Sequence, residues 1–392
     1  MEPTPPANGG PEGDQTCPHC GHIVPPLPYC VRCGSALGRS GHRHEYAAHP
    51  AEPARAIRLF STLFPHLPQA RYDSFRHAFG LGVAIVAVLV IAGFFPIALV
   101  VSALLVPVLF VLYFIEVDLY ERAPLPVIGA TLAWGVVAGA IVGGLVRLNG
   151  GAALADSTPD VMSSVPGAVG LALFGGVLAT LGPLALIRHR AFNDVLDGAT
   201  FGAISGAAFA STVGLFRAGD LLGAGLRPGG DPLPWLARLA TLGVAQPVLL
   251  ATVTGSICAA FWLRYRAPVR DRNALGWLGR PLAAILAGAA LITAGALGRV
   301  VLDVAGGLIS TTIAGLIGLV WLRATIHLGL LEEANESDVG PPSRCLNCGR
   351  MTPGHTFCGW CGISLQALPR SAAPASLASA SATPAEPAEP SR

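Results

Sequence analysis

The chain has no lysine, and all 25 residues of its Lys and Arg total are arginine. This absence excludes a lysine nucleophile, general base or Schiff base. Charge of either sign is also scarce: 12% of the 392 residues are charged, about half the usual share in soluble proteins. The formal net charge is only +2, so we expect no specific nucleic-acid partner. Because hydrophobic residues make up 52% of the chain, a single soluble domain, a coiled coil and a wholly disordered chain all fit poorly.

The two ends of the chain differ in composition from its middle. Both ends are rich in Pro, Gly, Ser and Ala and have little to bury, so we expect disorder there. No apolar stretch follows the first methionine, and we expect no signal peptide. The predicted segments are disordered 1–16, an N-terminal cysteine module at 17–37, a linker at 38–76, an apolar bundle at 77–328, a linker at 329–344, a C-terminal cysteine module at 345–366 and a disordered tail at 367–392.

The apolar middle is long enough for about eight membrane spans. A helix needs about 20 apolar residues to cross a bilayer core about 30 Å thick. The alternative, a large Ala-rich soluble core, is disfavoured by eight apolar stretches with so few interior charges. We therefore predict an all-α polytopic protein embedded in the lipid bilayer. The predicted spans are Phe79–Phe95, Ile97–Val117, Leu125–Leu148, Val161–Ile187, Val195–Phe216, Trp235–Leu263, Leu282–Leu297 and Val300–Leu322.

Arginine positions predict the orientation of these spans. Cytoplasmic loops of membrane proteins carry the excess of basic residues. With a cytoplasmic N-terminus, eleven arginines flank the cytoplasmic ends of the spans and five lie in the opposite loops. An even number of spans then places both termini in the cytoplasm. We predict a multi-pass protein of the plasma membrane.

Eight of the nine cysteines form two copies of the pattern Cys-x2-Cys-x9-Cys-x2-Cys. Each cysteine of the second copy stands 328 positions after its counterpart, and Gly21, Gly34 and Leu37 recur at the same offset. Each Cys-x2-Cys pair directs two thiolates at one point, and two pairs close the tetrahedral site that zinc accepts. We predict two structural Zn²⁺ sites in ribbons that resemble those at the ends of many bacterial membrane proteins. The predicted ligands are Cys17, Cys20, Cys30, Cys33, Cys345, Cys348, Cys358 and Cys361.

Disulfides, a redox Cys-x-x-Cys pair and an iron–sulfur site are the alternatives to zinc. A redox pair needs only two cysteines, and disulfides are rare in the cytoplasm. Four thiolates leave no open coordination position, so we expect no catalysis at either site. His19 and His22 are expected to face solvent. Cys258, alone in the sixth span, is expected to pack as a small apolar side chain.

Glycines recur four residues apart in two of the spans. Gly135, Gly139 and Gly143 share one face of the third span, and Gly202 and Gly206 share one face of the fifth. Small residues at this spacing let helix backbones approach closely in lipid. We predict tight helix–helix packing at these faces.

Three segments carry a recognisable set of motifs. The first has Asp118, the pair Tyr120-Glu121 and Pro124, followed by Trp134-Gly135; the later two are Asp197-Gly198 with Phe201-Gly202, and Thr254-Gly255. Over roughly residues 100–265 these segments resemble the PrsW-type (glutamic-type) intramembrane protease family. The resemblance implies a helical membrane fold and an intramembrane protease ancestry.

The catalytic residues that this resemblance implies do not recur in the chain. The family has a Glu-Glu-x-x-Lys motif where this chain has Gly175, Gly176 and Ala179. It has Glu-Asn where this chain has Val213 and Gly214. It has a histidine before the Thr-Gly where this chain has Ala245-Gln246-Pro247. Hydrolysis inside a membrane also needs a carboxylate or metal site to activate water. The only glutamates between residues 53 and 331 are Glu116 and Glu121, and no predicted span has an acid at its middle. We therefore predict an inactive relative.

Asp118, Glu121 and Asp197 are the candidates for a remaining polar site on the cytoplasmic side. The alternative is that they cap helices or pair with nearby arginines. Three functions follow from these features. The first is a non-enzymatic membrane protein whose two ribbons hold a protein partner, or each other. The second is an active intramembrane metalloprotease that uses these acids with His189, and the third is a small-solute transporter with Gln246-Pro247 at a broken helix.

Overall fold

The computed structural model of the chain contains a bundle of long helices and two small cysteine-bearing ribbons. The predicted disordered tail, residues 1–13 of the predicted disordered N-terminus and most of the first predicted linker lie outside the described residues. The structure describes residues 14–17, 22–34, 37, 74–117, 125–148, 161–189, 192, 194–219, 225–227, 232–266, 275–336, 340–345, 348–362 and 365.

Eight helical segments of the described chain are long and apolar enough to cross a membrane, which confirms the predicted all-α polytopic fold. The sixth segment runs over Pro232–Tyr265 and comprises two α-helices joined by π-helical turns at Leu239–Ala245. The helices are α1 (Ser74–Ile91), α2 (Phe95–Val117), α3 (Leu125–Leu148), α4 (Val161–Ala185), α5 (Val195–Arg217), α6 (Pro232–Arg238), α7 (Gln246–Tyr265), α8 (Pro281–Val301) and α9 (Val304–Glu336).

Helices α5 and α7 form the centre of the bundle. Most of their residues are buried, whereas the other spans turn large apolar side chains outward. Leu81 and Ile91 of α1 and Ile141 of α3 are among these exposed side chains. Such an apolar outer belt is unfavourable in water and is the surface expected of a protein solvated by lipid.

Glycines bring the central helices into backbone contact, as their spacing predicts. A Cβ atom at Gly202 of α5 would lie 2.5 Å from the carbonyl oxygen of Thr254 in α7, and one at Gly206 would lie 2.6 Å from that of Leu250. On the other side of α5, a Cβ atom at Gly139 of α3 would lie 2.6 Å from the carbonyl oxygen of Phe209. Any side chain at these positions would push the helices apart.

Several ends of the predicted spans differ from the observed helices: the first span ends at Ile91 and not at Phe95, and the boundary between the last two lies after Val301 and not before Val300. Helix α1 begins at Ser74 and not at Phe79, and the N–H of Phe75 donates a hydrogen bond of 2.8 Å to Oε1 of Glu116 in α2. Helix α9 continues to Glu336, beyond the predicted bundle end at residue 328. Hydropathy marks where a chain leaves the apolar phase and does not mark where a helix ends, and leucine, glutamate and alanine at 330–334 favour helix.

The π-helical turns in the sixth span were not predicted from the sequence. The N–H of Gln246 donates to the carbonyl oxygen of Thr241, five residues earlier. The next residue, Pro247, has no N–H and cannot continue the i→i−4 ladder. The i→i−5 hydrogen bonds of the π-helical turns therefore lie directly before Pro247.

Candidate metal centres

Each cysteine module folds as a short β-hairpin followed by a turn that carries the last two cysteines. Strand β1 (Gln15–Thr16) pairs antiparallel with β2 (Ile23–Val24), and β3 (Gly340–Arg344) pairs antiparallel with β4 (Met351–Gly354). Gln15 opposes Val24 as Ser343 opposes Thr352, and both pairs are related by the 328-residue offset. The two ribbons therefore have the same register. The second ribbon begins inside the predicted linker at 329–344, because β3 takes up its last five residues.

Matching backbone hydrogen bonds shape the two ribbons. Cys17 N–H donates to His22 O at 2.8 Å, and Cys345 N–H donates to Arg350 O at 2.9 Å. After the last cysteine of each ribbon, Gly34 and Gly362 adopt φ values of +69° and +70°. Glycine adopts this left-handed conformation without steric cost, which explains why both modules have glycine there.

The cysteine sulfurs of the second ribbon gather at one point. Cys345, Cys348, Cys358 and Cys361 place their Sγ atoms within 4.8 Å of one another. The Sγ atoms of Cys345 and Cys361 are 3.8 Å apart, as are those of Cys348 and Cys358. Four sulfurs, each about 2.3 Å from one tetrahedral ion, would stand about 3.8 Å apart. The cluster therefore has the dimensions of a four-thiolate metal site.

The first ribbon forms the equivalent cluster from its described cysteines. Cys17, Cys30 and Cys33 gather their sulfurs within the same limit, with 3.7 Å between the Sγ atoms of Cys17 and Cys33. The predicted fourth ligand, Cys20, lies outside the described residues. No disulfide joins any two of the eight cysteines that the structure describes. Both clusters can hold a metal ion.

Hydrogen bonds from Cys345 and Cys361, together with burial, raise the pKa of the Cys358 thiol above its usual range. Without a cation the Cys358 thiol therefore keeps its proton. Because metal ligation requires the thiolate, loading the site must release protons.

The two ribbons contact one another, which the sequence left open. The N–H of Tyr29 donates to the carbonyl oxygen of Gly359 at 2.9 Å, and the N–H of Phe357 donates to that of Val31 at 2.9 Å. Tyr29 and Phe357 are equivalent under the 328-residue offset, as are Val31 and Gly359. The contact is therefore reciprocal, with pseudo-two-fold symmetry. An aromatic residue before the third cysteine of both modules was the sequence signal that could have suggested it.

The described acidic candidate in the bundle has a structural role. Asp194 and Asp197 form a capping box at the start of α5, in which the side chain of Asp197 accepts a hydrogen bond from the Asp194 N–H at 3.4 Å. This agrees with the alternative that Asp197 caps a helix. Asp118 and Glu121 lie outside the described residues. His189 lies beyond α4, with its ring centroid 5.0 Å from that of Phe192.

Gly175, Gly176 and Ala179, which the sequence resemblance aligns with a catalytic motif, lie in packed surroundings. A Cβ atom at Gly175 would lie 2.6 Å from Cζ of Phe209, and one at Gly176 would lie 2.8 Å from Cδ1 of Ile292. Ala179 is fully buried, and its carbonyl oxygen accepts a hydrogen bond of 2.7 Å from the hydroxyl of Ser205. A larger side chain at Gly175 or Gly176 would therefore require Phe209 or Ile292 to move.

Two further residues singled out in the sequence lie in the core of the bundle. Cys258 packs with Phe192, Phe201 and Trp262, as expected for a small apolar side chain. Gln246, which follows the π-helical turns, is buried, and its Oε1 accepts no hydrogen bond from the residues that the structure describes.

Comparisons of the chain with models of protein families, with curated proteins and with solved structures found no match. The PrsW resemblance therefore rests on the sequence motifs quoted above.

Proposed function

We propose that this integral membrane protein is a PrsW-like, catalytically inactive bundle that displays two zinc-loaded ribbons on the cytoplasmic face of the plasma membrane, for protein interaction or regulation. The observation that carries the proposal is the four-cysteine ribbon repeated at both ends of an eight-span bundle. Among the described residues, the ribbons bring together groups that can hold a metal outside the candidate membrane spans.

Zinc is the metal that suits these ribbons best. The sulfur spacing of 3.7–3.8 Å matches tetrahedral Zn²⁺ thiolate geometry. A Zn²⁺ ion with four thiolates carries two net negative charges, and arginines 32, 344 and 350 stand within the ribbons to offset them. No Asp or Glu occurs at 15–44 or 339–385, so no side-chain carboxylate of these segments adds to the negative charge.

The orientation is supported by two independent observations. Direct contact between the ribbons requires both to lie on the same side of the membrane, and eight spans satisfy this requirement. The excess of arginine at the predicted cytoplasmic flanks favours the cytoplasm. That compartment also keeps cysteines reduced and ready to bind metal.

The non-catalytic part of the proposal is supported by packing. Phe209 packs beside Gly175 and Ile292 beside Gly176, at the positions that the sequence resemblance aligns with two glutamates of active PrsW-type proteases. Asp197 is engaged in a helix cap. If the protein is an active protease, the wild type should cleave a membrane-protein reporter and Asp197→Asn should not. We expect no cleavage by the wild-type protein.

The display function is tested by cross-linking partners in native membranes and measuring zinc in the same preparations. Cys345→Ser combined with Cys348→Ser should remove one zinc and deplete the cross-linked partners. Cys258→Ala removes a cysteine outside the ribbons and serves as the matched control. An unchanged partner set in a double variant that has lost its zinc would overturn the display function.

Solute transport is the second candidate, favoured by the break in the sixth span. Transporters bind solutes where helices are interrupted near the midplane, and the buried Gln246 Oε1 follows such an interruption. If the protein transports a solute, Gln246→Leu should change the solute profile of the cells. Our proposal expects identical profiles for wild type, Gln246→Leu and a deletion strain.

A further inference from the structure

The hydrogen bonds between the ribbons are made by the residues that flank a metal ligand in each. Cys30 lies between Tyr29 and Val31, and Cys358 lies between Phe357 and Gly359. The residue before each of these cysteines donates its N–H to the other ribbon, and the residue after it accepts with its carbonyl oxygen. The position of each of these two ligands is therefore coupled to the contact between the ribbons.

The side chains at the contact are complementary because the first ribbon has Val31 where the second has Gly359. Leu27 covers Gly359, and a Cβ atom at Gly359 would overlap Cδ1 of Leu27 and lie 3.1 Å from Cγ1 of Val31. The residue equivalent to Gly359 in the first ribbon is Val31. A second copy of the N-terminal ribbon would therefore bring a valine to the place where only hydrogen fits.

The C-terminal ribbon holds the acceptor in position before any contact forms. The N–H of Gly359 donates to Oγ1 of the buried Thr352 at 2.9 Å. The indole N–H of Trp360 donates to the carbonyl oxygen of Met351 at 2.8 Å. Both bonds fix the turn that carries the Gly359 carbonyl to its own hairpin, so less conformational freedom is lost when Tyr29 binds.

Neither ribbon has the size to hold this surface without its metal. The paired strands of the first ribbon are two residues long, and its core consists largely of the cysteines themselves. Modules below about 40 residues usually need a metal or a disulfide to fold. Loss of the ion would therefore unfold the segment that makes the hydrogen bonds between the ribbons.

We propose that the two ribbons are each other's binding partner and form a metal-dependent clasp that joins the two ends of the membrane bundle. The fit of Leu27 over Gly359 selects the C-terminal ribbon against a second N-terminal ribbon. The clasp rests on the metal-binding part of the proposed function. An outside protein would then bind the joined pair through surfaces away from this contact.

Hydrogen exchange of the intact, detergent-purified protein tests the clasp at single amides. The Tyr29 and Phe357 amides report the contact, because each donates across the ribbons, whereas the Gly34 and Gly362 amides donate within their own ribbon. In zinc-loaded wild type all four amides should be protected. In Gly359→Val the Tyr29 and Phe357 amides should exchange at least about tenfold faster, since overpacking separates the ribbons, while Gly34 stays protected.

Two matched variants separate this effect from general damage to the second ribbon. Met351→Ile also imports the residue of the first ribbon into the second, but at an exposed position, and should leave all four amides protected. Leu27→Ala combined with Gly359→Val exchanges volume across the contact and should restore much of the protection. A chelator should expose all four amides.

Three outcomes would overturn the clasp: rapid exchange of the Tyr29 amide in zinc-loaded wild type, unchanged protection of Tyr29 in Gly359→Val, or protection that survives complete zinc removal. Zinc content is measured on the same samples. Two zinc ions per chain without protection of the Tyr29 amide would reject the clasp but retain the zinc ribbons. Absence of zinc would reject the proposed function itself.

Discussion

The hydroxyl of Thr254 in α7 donates a hydrogen bond of 2.7 Å to the carbonyl oxygen of Gly202 in α5. It also lies 2.6 Å from the carbonyl oxygen of Leu250 in its own helix. The absence of a side chain at Gly202 is what allows the two backbones to come this close. A polar bond and a close backbone approach thus coincide at the centre of the bundle, where lipid supplies no hydrophobic driving force for helix association.

Replacing Thr254 with valine tests the polar half of this contact. The change keeps the shape of the side chain and removes the bond to Gly202, so we expect a loss of roughly 0.6–1.7 kcal/mol in the free energy of unfolding. Thermal unfolding in detergent measures it. Thr212→Val is the control, because the Thr212 hydroxyl donates to Ala208 of its own helix. Equal losses in both variants would show that the interhelical bond contributes nothing.

Replacing Gly202 with alanine tests the close approach. The added Cβ would lie 2.5 Å from the backbone oxygen of Thr254, and backbone atoms cannot rotate away, so we expect about 1–3 kcal/mol of destabilisation. Gly144→Ala is the matched control, since no described atom lies within 4 Å of its Cβ position. Because alanine favours helix over glycine, the control should unfold at the wild-type temperature or above. A stable Gly202→Ala protein would argue against glycine-mediated contact between α5 and α7.

The role of Asp197 is tested by two substitutions at one position. As the third residue of α5 it belongs to a capping box with Asp194, and glutamate is the residue most often found in that role. We therefore expect Asp197→Glu to keep wild-type stability and Asp197→Ala to lose about 1 kcal/mol, as other cap deletions do. Circular dichroism melting compares the two. If both variants were fully stable, the carboxylate would be free of the cap and available for chemistry.

The clasp predicts that the two metal sites protect one another. Removing the second site with Cys345→Ser and Cys348→Ser should accelerate zinc loss from the first site to a chromogenic chelator, although every ligand of the first site is intact. The physical reason is that Val31 and Tyr29 lose their partners in the second ribbon. Stopped-flow transfer to the chelator gives the rate, and Cys258→Ala is again the control. Identical first-site rates with and without the second site would contradict the coupling.

Much of the membrane fold could be predicted because membrane spans are marked by composition. The third predicted span, Leu125–Leu148, coincides with α3, and the second differs from α2 by two residues at its start. Charged residues mark several of these ends because the bilayer excludes charge. Helix α9 is longer than predicted, since helix formers continue beyond the apolar part up to Glu336.

The cysteine clusters that can hold a metal were predictable for a different reason. Two thiolates of a Cys-x2-Cys pair are neighbours along the chain, so local spacing alone brings Cys358 and Cys361 to one point. The contact between the ribbons depends instead on the fit between Leu27 and Gly359, which lie far apart in the chain and carry no shared periodicity.

The most direct test of the two zinc ribbons is the metal content of detergent-purified protein, with the wild type beside a variant in which all eight ribbon cysteines are serine. We predict two zinc ions per wild-type chain, one for each cysteine cluster, and none in the variant. Zinc retained by the variant would place a metal site in the bundle, contradict the non-catalytic reading of the membrane core and favour the intramembrane protease.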